Sequence, residues 1–171
     1  MEKRQKKIKK IAFLGLLTAV AMLLSYVEAL LPSPIAAVPG IKMGLPNVAI
    51  IFVLYRFGAK EAALVSAVRV IMVSLLFGNP MTFIYSIAGA MLSIVVMIVL
   101  KKLNFLSTVG VSVAGGVFHN AGQILVAMFL LGTAELAHYM IVLALSGTLS
   151  GVFVGICGAL KIKKLPMYKI Y

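Results

Sequence analysis

Six long apolar runs, separated by short breaks rich in proline, glycine or lysine, dominate the chain. Crossing a bilayer takes about 20 predominantly apolar residues in a helix, with a range of roughly 17–25. The first run, Ile11–Leu31, ends at Pro32-Ser33-Pro34, where proline cannot continue the hydrogen-bond ladder. The second, Leu45–Phe57, is short unless Ile41–Gly44 add to it. The third, Ala62–Phe77, stops at Gly78-Asn79-Pro80, and Thr82–Leu100 follows. The fifth, Thr108–Leu131, is closed by Gly132, and the last is Leu136–Leu160. None alternates apolar with polar residues, and an open sheet edge has no place in lipid. The pattern predicts an all-α integral membrane bundle of about six transmembrane helices over residues 11–160. A basic N-terminus, 1–10, precedes it and a basic tail, 161–171, follows.

Charge adds orientation. Lys3, Arg4, Lys6, Lys7, Lys9 and Lys10 precede the first run. Arg56 and Lys60 lie between the second and third, Lys101 and Lys102 between the fourth and fifth, and Lys161, Lys163, Lys164 and Lys169 after the sixth. Six spans place all of these on one face; only Lys42 falls on the other, and Arg69 lies inside a span. The positive-inside rule then puts both termini in the cytoplasm, in a bacterial-type cytoplasmic membrane. Reporter fusions at Lys102 and at the C-terminus should signal cytoplasm, and fusions near Asn79 and Glu135 the outside. A cytoplasmic signal at Asn79 would sink the six-span topology.

Composition fits the same solvent. The chain is 63% hydrophobic and 12% charged, against roughly 25% charged residues in a soluble domain. The net charge of +12 invites a nucleic-acid reading, but the basic residues sit in short runs and are not interleaved with aromatics on one surface, so no nucleic-acid partner is expected. The basic start followed by an apolar run resembles a signal peptide. That run is longer than a 7–15-residue signal core and leads into further spans, so it reads as a permanent helix.

Catalytic chemistry finds few candidates. The acids are Glu2, Glu28, Glu61 and Glu135; aspartate is absent from the sequence. No Asp-rich magnesium–diphosphate motif is therefore possible, and no glycine-rich loop ends in Lys-Ser or Lys-Thr to hold ATP. Cys157 is the single cysteine and lies in an apolar run, where it reads as a small core residue. No catalytic residue, metal ligand or cofactor is expected, and any ATP-driven work needs a partner.

Polar residues at membrane depth require a reason. Arg69 sits near the middle of the third run, and His119, Asn120 and Gln123 near the middle of the fifth. The latter are three or four apart and share a helix face. Two readings compete: internal ion pairing and inter-helix hydrogen bonding, or the lining of a ligand cavity. The cavity reading places the site between the third and fifth helices, beneath the first external loop. Arg69, His119, Asn120 and Gln123 would line it, with Lys42 and Asn47 at the lid and Glu28 the nearby acid. A desolvated arginine favours a carboxylate or phosphate, and the remaining walls are aliphatic. A small anionic, partly apolar ligand follows. Small residues suggest close helix approach: Gly147, Gly151 and Gly155 on the sixth helix, read as internal packing, and Gly15 and Ala19 on the first, read as a docking face.

Pro39-Gly40-Ile41-Lys42-Met43-Gly44-Leu45-Pro46-Asn47, Val68-Arg69-Val70 and His119-Asn120-Ala121-Gly122-Gln123 resemble segments of one bacterial family. It is called the Gx transporter family and also heptaprenyl diphosphate synthase component I. The resemblance covers about residues 11–160. That family is in turn similar in fold to the substrate-binding S components of energy-coupling factor transporters. One name implies binding of a small molecule from outside, with docking through Gly15 and Ala19 on a coupling transmembrane subunit and its ATPases. The other implies assistance to a soluble prenyltransferase subunit in making a long prenyl diphosphate.

Overall fold

The computed structural model describes residues 2–30 and 44–164, excluding the side chains of residues 161, 163 and 164. Six α-helices follow one another: α1 Glu2–Leu30, α2 Asn47–Arg56, α3 Ala59–Phe77, α4 Pro80–Leu103, α5 Thr108–Leu131 and α6 Met140–Lys164. A short 3-10 helix, Glu135–Tyr139, leads into α6, and no strand occurs among the described residues. The all-α membrane bundle read from the apolar pattern is the fold observed.

Four segments are long and apolar enough to cross a membrane: α1, α4, α5 and the stretch Glu135–Leu160. The other two helices differ for separate reasons. α3 has 19 residues but carries Lys60, Glu61 and Arg69. α2 has only 10 residues, about 15 Å at 1.5 Å per residue, half the roughly 30 Å hydrocarbon core. Large apolar side chains stand exposed around the bundle, among them Leu75, Phe129, Ile141 and Leu149. Such a surface needs lipid or a partner.

The basic N-terminus is part of the first helix. α1 runs unbroken from Glu2 for 29 residues, about 43 Å, and so outreaches the hydrocarbon core. Lysine, arginine, glutamine and glutamate are good helix formers. The extension is held by Lys6 Nζ to Glu2 Oε1 at 2.8 Å, four residues apart, and by Lys10 Nζ to Glu61 Oε1 at 2.5 Å. At the other end of the sequence's breaks, Asn79 accepts a bond from the Thr82 amide while the Thr82 hydroxyl accepts one from the Asn79 amide. This reciprocal cap, with Pro80 at the first helical position, starts α4 where a chain reversal is needed.

Glycine sets the packing order. α5 lies against α4 on one side and α6 on the other, whereas α1 packs on α3 and α2. A Cβ on Gly151 would lie 2.6 Å from the Val113 Cα, and one on Gly155 2.7 Å from the Val109 Cα. The α5–α6 seam is thus backbone against backbone, the close approach that small residues permit in lipid. Gly122 of α5 does the same against α4, where a Cβ would meet the Ala88 carbonyl oxygen at 2.8 Å. The apolar core gathers around α2, with Ile50, Ile51, Val53 and Leu54 packed with Val65, Met97, Val111 and Val154. α2 is therefore a buried plug, not a lipid-facing helix.

Candidate ligand-binding site

Helix α1 carries Ser25 and Glu28 three residues apart, hence on one face, and both are buried. Opposite them is Arg69 of α3, only 4% exposed. Its Nη1 donates to Ser25 Oγ at 3.5 Å, a long and weak bond. Its charge also lies within electrostatic reach of Glu28. Nε and Nη2 of Arg69 have no hydrogen-bond partner among the described residues. A buried guanidinium with two unengaged nitrogens is expensive.

Glu28 is engaged on another side. Its Oε1 accepts from the Gly44 amide and, at 3.4 Å, from the Leu45 amide. These two amides lie at the segment leading into α2, so the carboxylate anchors the chain that returns from the first loop. Gly44 has φ +90°, in the region that favours glycine. A Cβ there would also crowd Asn47 Nδ2 at 3.1 Å and the His119 ring at 3.6 Å. Gly44 thus joins Glu28 on one side to Asn47 and His119 on the other.

His119 of α5 is buried and faces α4 as well. A Cβ on Gly89 would lie 3.1 Å from His119 Cε1 and 2.9 Å from Gln123 Cγ. Gly89 therefore leaves room for both side chains at the α4–α5 seam. Asn47, at the first turn of α2, is buried, and its Nδ2 has no hydrogen-bond partner among the described residues. Asn120 has a different job. Its Nδ2 donates to the Leu143 carbonyl of α6 at 2.9 Å, and its Oδ1 accepts from Gln123 Nε2 at 3.4 Å. That is inter-helix hydrogen bonding. Asn120 ties α5 to α6, whereas His119 and Gln123 lie against Gly89 of α4.

The sequence-derived candidates thus form a chain of contacts from Arg69 and Glu28 through Gly44 to Asn47 and His119. α3 packs chiefly on α1, α4 and α2, and α5 on α4 and α6. Lys42 lies outside the described residues, as does most of the first loop. Gly15 and Ala19 are exposed on α1, and nothing lies within 4 Å of a Cβ placed on Gly15. Ser25 and Gly44 were not among the candidates. Ser25 was within reach of sequence reasoning, because it stands three residues before Glu28 on the same face. No group of three or more His, Cys, Asp or Glu side chains suited to a metal occurs among the described residues.

Residues 17–160 match the family described as heptaprenyl diphosphate synthase component I. The chain belongs to that family. A search among curated proteins finds no match. The matched span covers Ser25, Glu28, Asn47, Arg69 and His119, so the whole contact chain lies in the part of the protein that defines membership. The family's description implies a second component in heptaprenyl diphosphate synthesis.

Proposed function

We propose that the protein is a non-catalytic, membrane-embedded binding component. It would hold a small anionic, partly apolar molecule at Arg69 and hand it to, or take it from, a separate partner. The observation that carries this reading is the buried Arg69 with Nε and Nη2 unengaged among the described residues. A carboxylate or phosphate oxygen would satisfy both through paired charge-assisted bonds. Glu28, held by the Gly44 and Leu45 amides, orients the guanidinium, and His119 and Asn47 supply further polar contacts. Lys42 is a further candidate cation for the ligand, and Gln123, with Asn120, would support the α5 wall. The protein resides in the bacterial cytoplasmic membrane with both termini inside.

Two partners suit this component. One is a coupling membrane subunit with ATPases, for which the exposed Gly15 and Ala19 of α1 offer a flat face. The other is a soluble prenyltransferase, which family membership favours; a prenyl diphosphate is itself anionic at one end and apolar along the rest. Native mass spectrometry of the purified full chain should reveal a bound anionic mass. Co-expression with the second component of the synthase should give co-purification if the synthase reading holds. A preparation that retains no anion and binds none on titration would refute the binding role. For the docking face, Gly15→Leu with Ala19→Leu should abolish capture of a coupling subunit while ligand affinity and melting temperature stay unchanged. Misfolding of the double variant would instead assign both residues to internal packing.

A further inference from the structure

A groove of about 290 Å³ runs along the seam of α3 and α4. Val70, Ala90 and Ile94 are buried in its floor; Ala67 and Ile71 of α3 and Met91 of α4 stand exposed at its rims. From Ala63 to Ile71 it extends about 12 Å along the helix. An α-helix is about 10 Å across, too wide to enter it, whereas a single hydrocarbon chain fits. Arg69 takes no part in it. Nine residues from Lys60, or two and a half turns, it lies on the opposite face of α3 and turns to Ser25 of α1.

Both rims run into a lysine at the same end. Lys60 is eleven residues before Ile71, and Lys102 eleven residues after Met91. Eleven residues make three turns, so each lysine continues the line of its own rim. α3 and α4 are antiparallel neighbours joined by a short reversal, which puts Lys60 and Lys102 together at the far end from it. Seventeen residues separate Lys60 from Phe77, and twenty-two separate Lys102 from Pro80, about 26 and 33 Å of helix. Those levels bracket the roughly 30 Å hydrocarbon core, so both ammonium groups reach the phosphate layer of the leaflet at that end. Both lysines are exposed. Their neighbours are otherwise engaged: Glu61 is held by Lys10 Nζ at 2.5 Å, and Lys101 donates to the Leu54 carbonyl at 2.6 Å.

We infer that this seam is a seat for one anionic phospholipid of the leaflet at the basic end. Its phosphate lies between Lys60 and Lys102, and one acyl chain lies in the α3–α4 groove. The charge selects the occupant: two cations at the mouth of an apolar channel complement a lipid with net negative charge and give a zwitterionic one no advantage. The site is separate from the one proposed at Arg69 and stands or falls without it.

The sequence has no tryptophan, so a single introduced one reports on its lipid neighbours. Leu64, 59% exposed, lies between Lys60 and Ile71 along the rim. The full chain carrying Leu64→Trp is reconstituted in phosphatidylcholine vesicles with either brominated phosphatidylglycerol or brominated phosphatidylethanolamine, and quenching gives relative association constants. Phosphatidylglycerol should be favoured at least about five-fold, the contribution of one lysine near a membrane surface. Ile156→Trp, exposed on α6 toward the same end, is the reporter for unselected lipid and should show a ratio of about one. Adding Lys60→Gln and Lys102→Gln to Leu64→Trp should bring its ratio to about one as well. Adding Ala67→Phe instead fills the groove from its exposed rim and should weaken phosphatidylglycerol association several-fold with both lysines intact. Equal quenching by the two lipids at Leu64→Trp would overturn the seat, as would the same preference at Ile156→Trp, which marks general attraction to a basic protein. A preference that survives the loss of both lysines would remove them from recognition and overturn it too. One that survives Ala67→Phe at full strength would leave surface charge without a seat for the chain.

Discussion

Arg69→Met should remove anion binding while preserving a folded bundle. The substitution keeps length and apolar stem but deletes the guanidinium. Truncating one charged partner in a desolvated site typically costs about 2–5 kcal/mol, so affinity should fall more than about 30-fold. Stability is the necessary control, because Glu28 is only 5% exposed and loses its attracting charge. Breaking a buried pair from one side destabilises by roughly 3–5 kcal/mol when nothing else holds the remaining ion. Here the Gly44 and Leu45 amides still bond to the carboxylate, so a smaller loss is expected. Adding Glu28→Gln removes the leftover charge and should restore the melting temperature without restoring binding. Were the single variant unstable while its folded fraction bound normally, Arg69 would be a structural partner of Glu28 and the anion site would be lost. Lys42→Met should weaken binding less than Arg69→Met, because a charge outside the apolar runs is nearer water and better screened.

Gly151→Leu should be strongly destructive although it lies outside the site. Its Cβ would fall 2.6 Å from the Val113 Cα, and backbone has no rotamer through which to yield. Overpacking a close seam ordinarily costs about 1–3 kcal/mol. A leucine against backbone should meet or exceed the upper end, lowering the melting temperature or preventing folding altogether. Gly15→Leu is the matched control: it adds the same side chain where nothing lies within 4 Å, and the melting temperature should not move. Thermal unfolding in detergent distinguishes the two directly. Similar melting temperatures for both variants would show that α5 and α6 have freedom to separate.

Several features were legible from local pattern alone. The helix breaks at Gly78-Asn79-Pro80 and Gly132 are dictated by short-range chemistry, and α3, α4 and α5 begin or end within a few residues of the apolar runs. The all-α membrane class follows from run length and the absence of alternation, since lipid leaves unpaired backbone no other solution. Gly147, Gly151 and Gly155 announced a packing seam by their spacing. Arg69 and His119 were marked as costly residues at depth by type and position. The extension of α1 through Lys3–Lys10 was less legible. The apolar pattern starts the first helix only at Ile11, yet the basic residues before it favour helix and Lys10 reaches Glu61.

Which polar groups meet was beyond the reach of spacing. Helical periodicity puts His119, Asn120 and Gln123 on one side of α5. The bundle then splits that side, sending Asn120 to the Leu143 carbonyl of α6 and leaving His119 against Gly89 and Gly44. Likewise spacing did not announce that the Gly44 and Leu45 amides and the charge of Arg69 come to Glu28. The length, class and costly residues of each segment are local properties, set by solvent and by hydrogen bonding within the helix. The neighbour each helix receives, and so the partner of each buried charge, depends on long-range packing across glycine seams, and that was decided only when the tertiary structure formed.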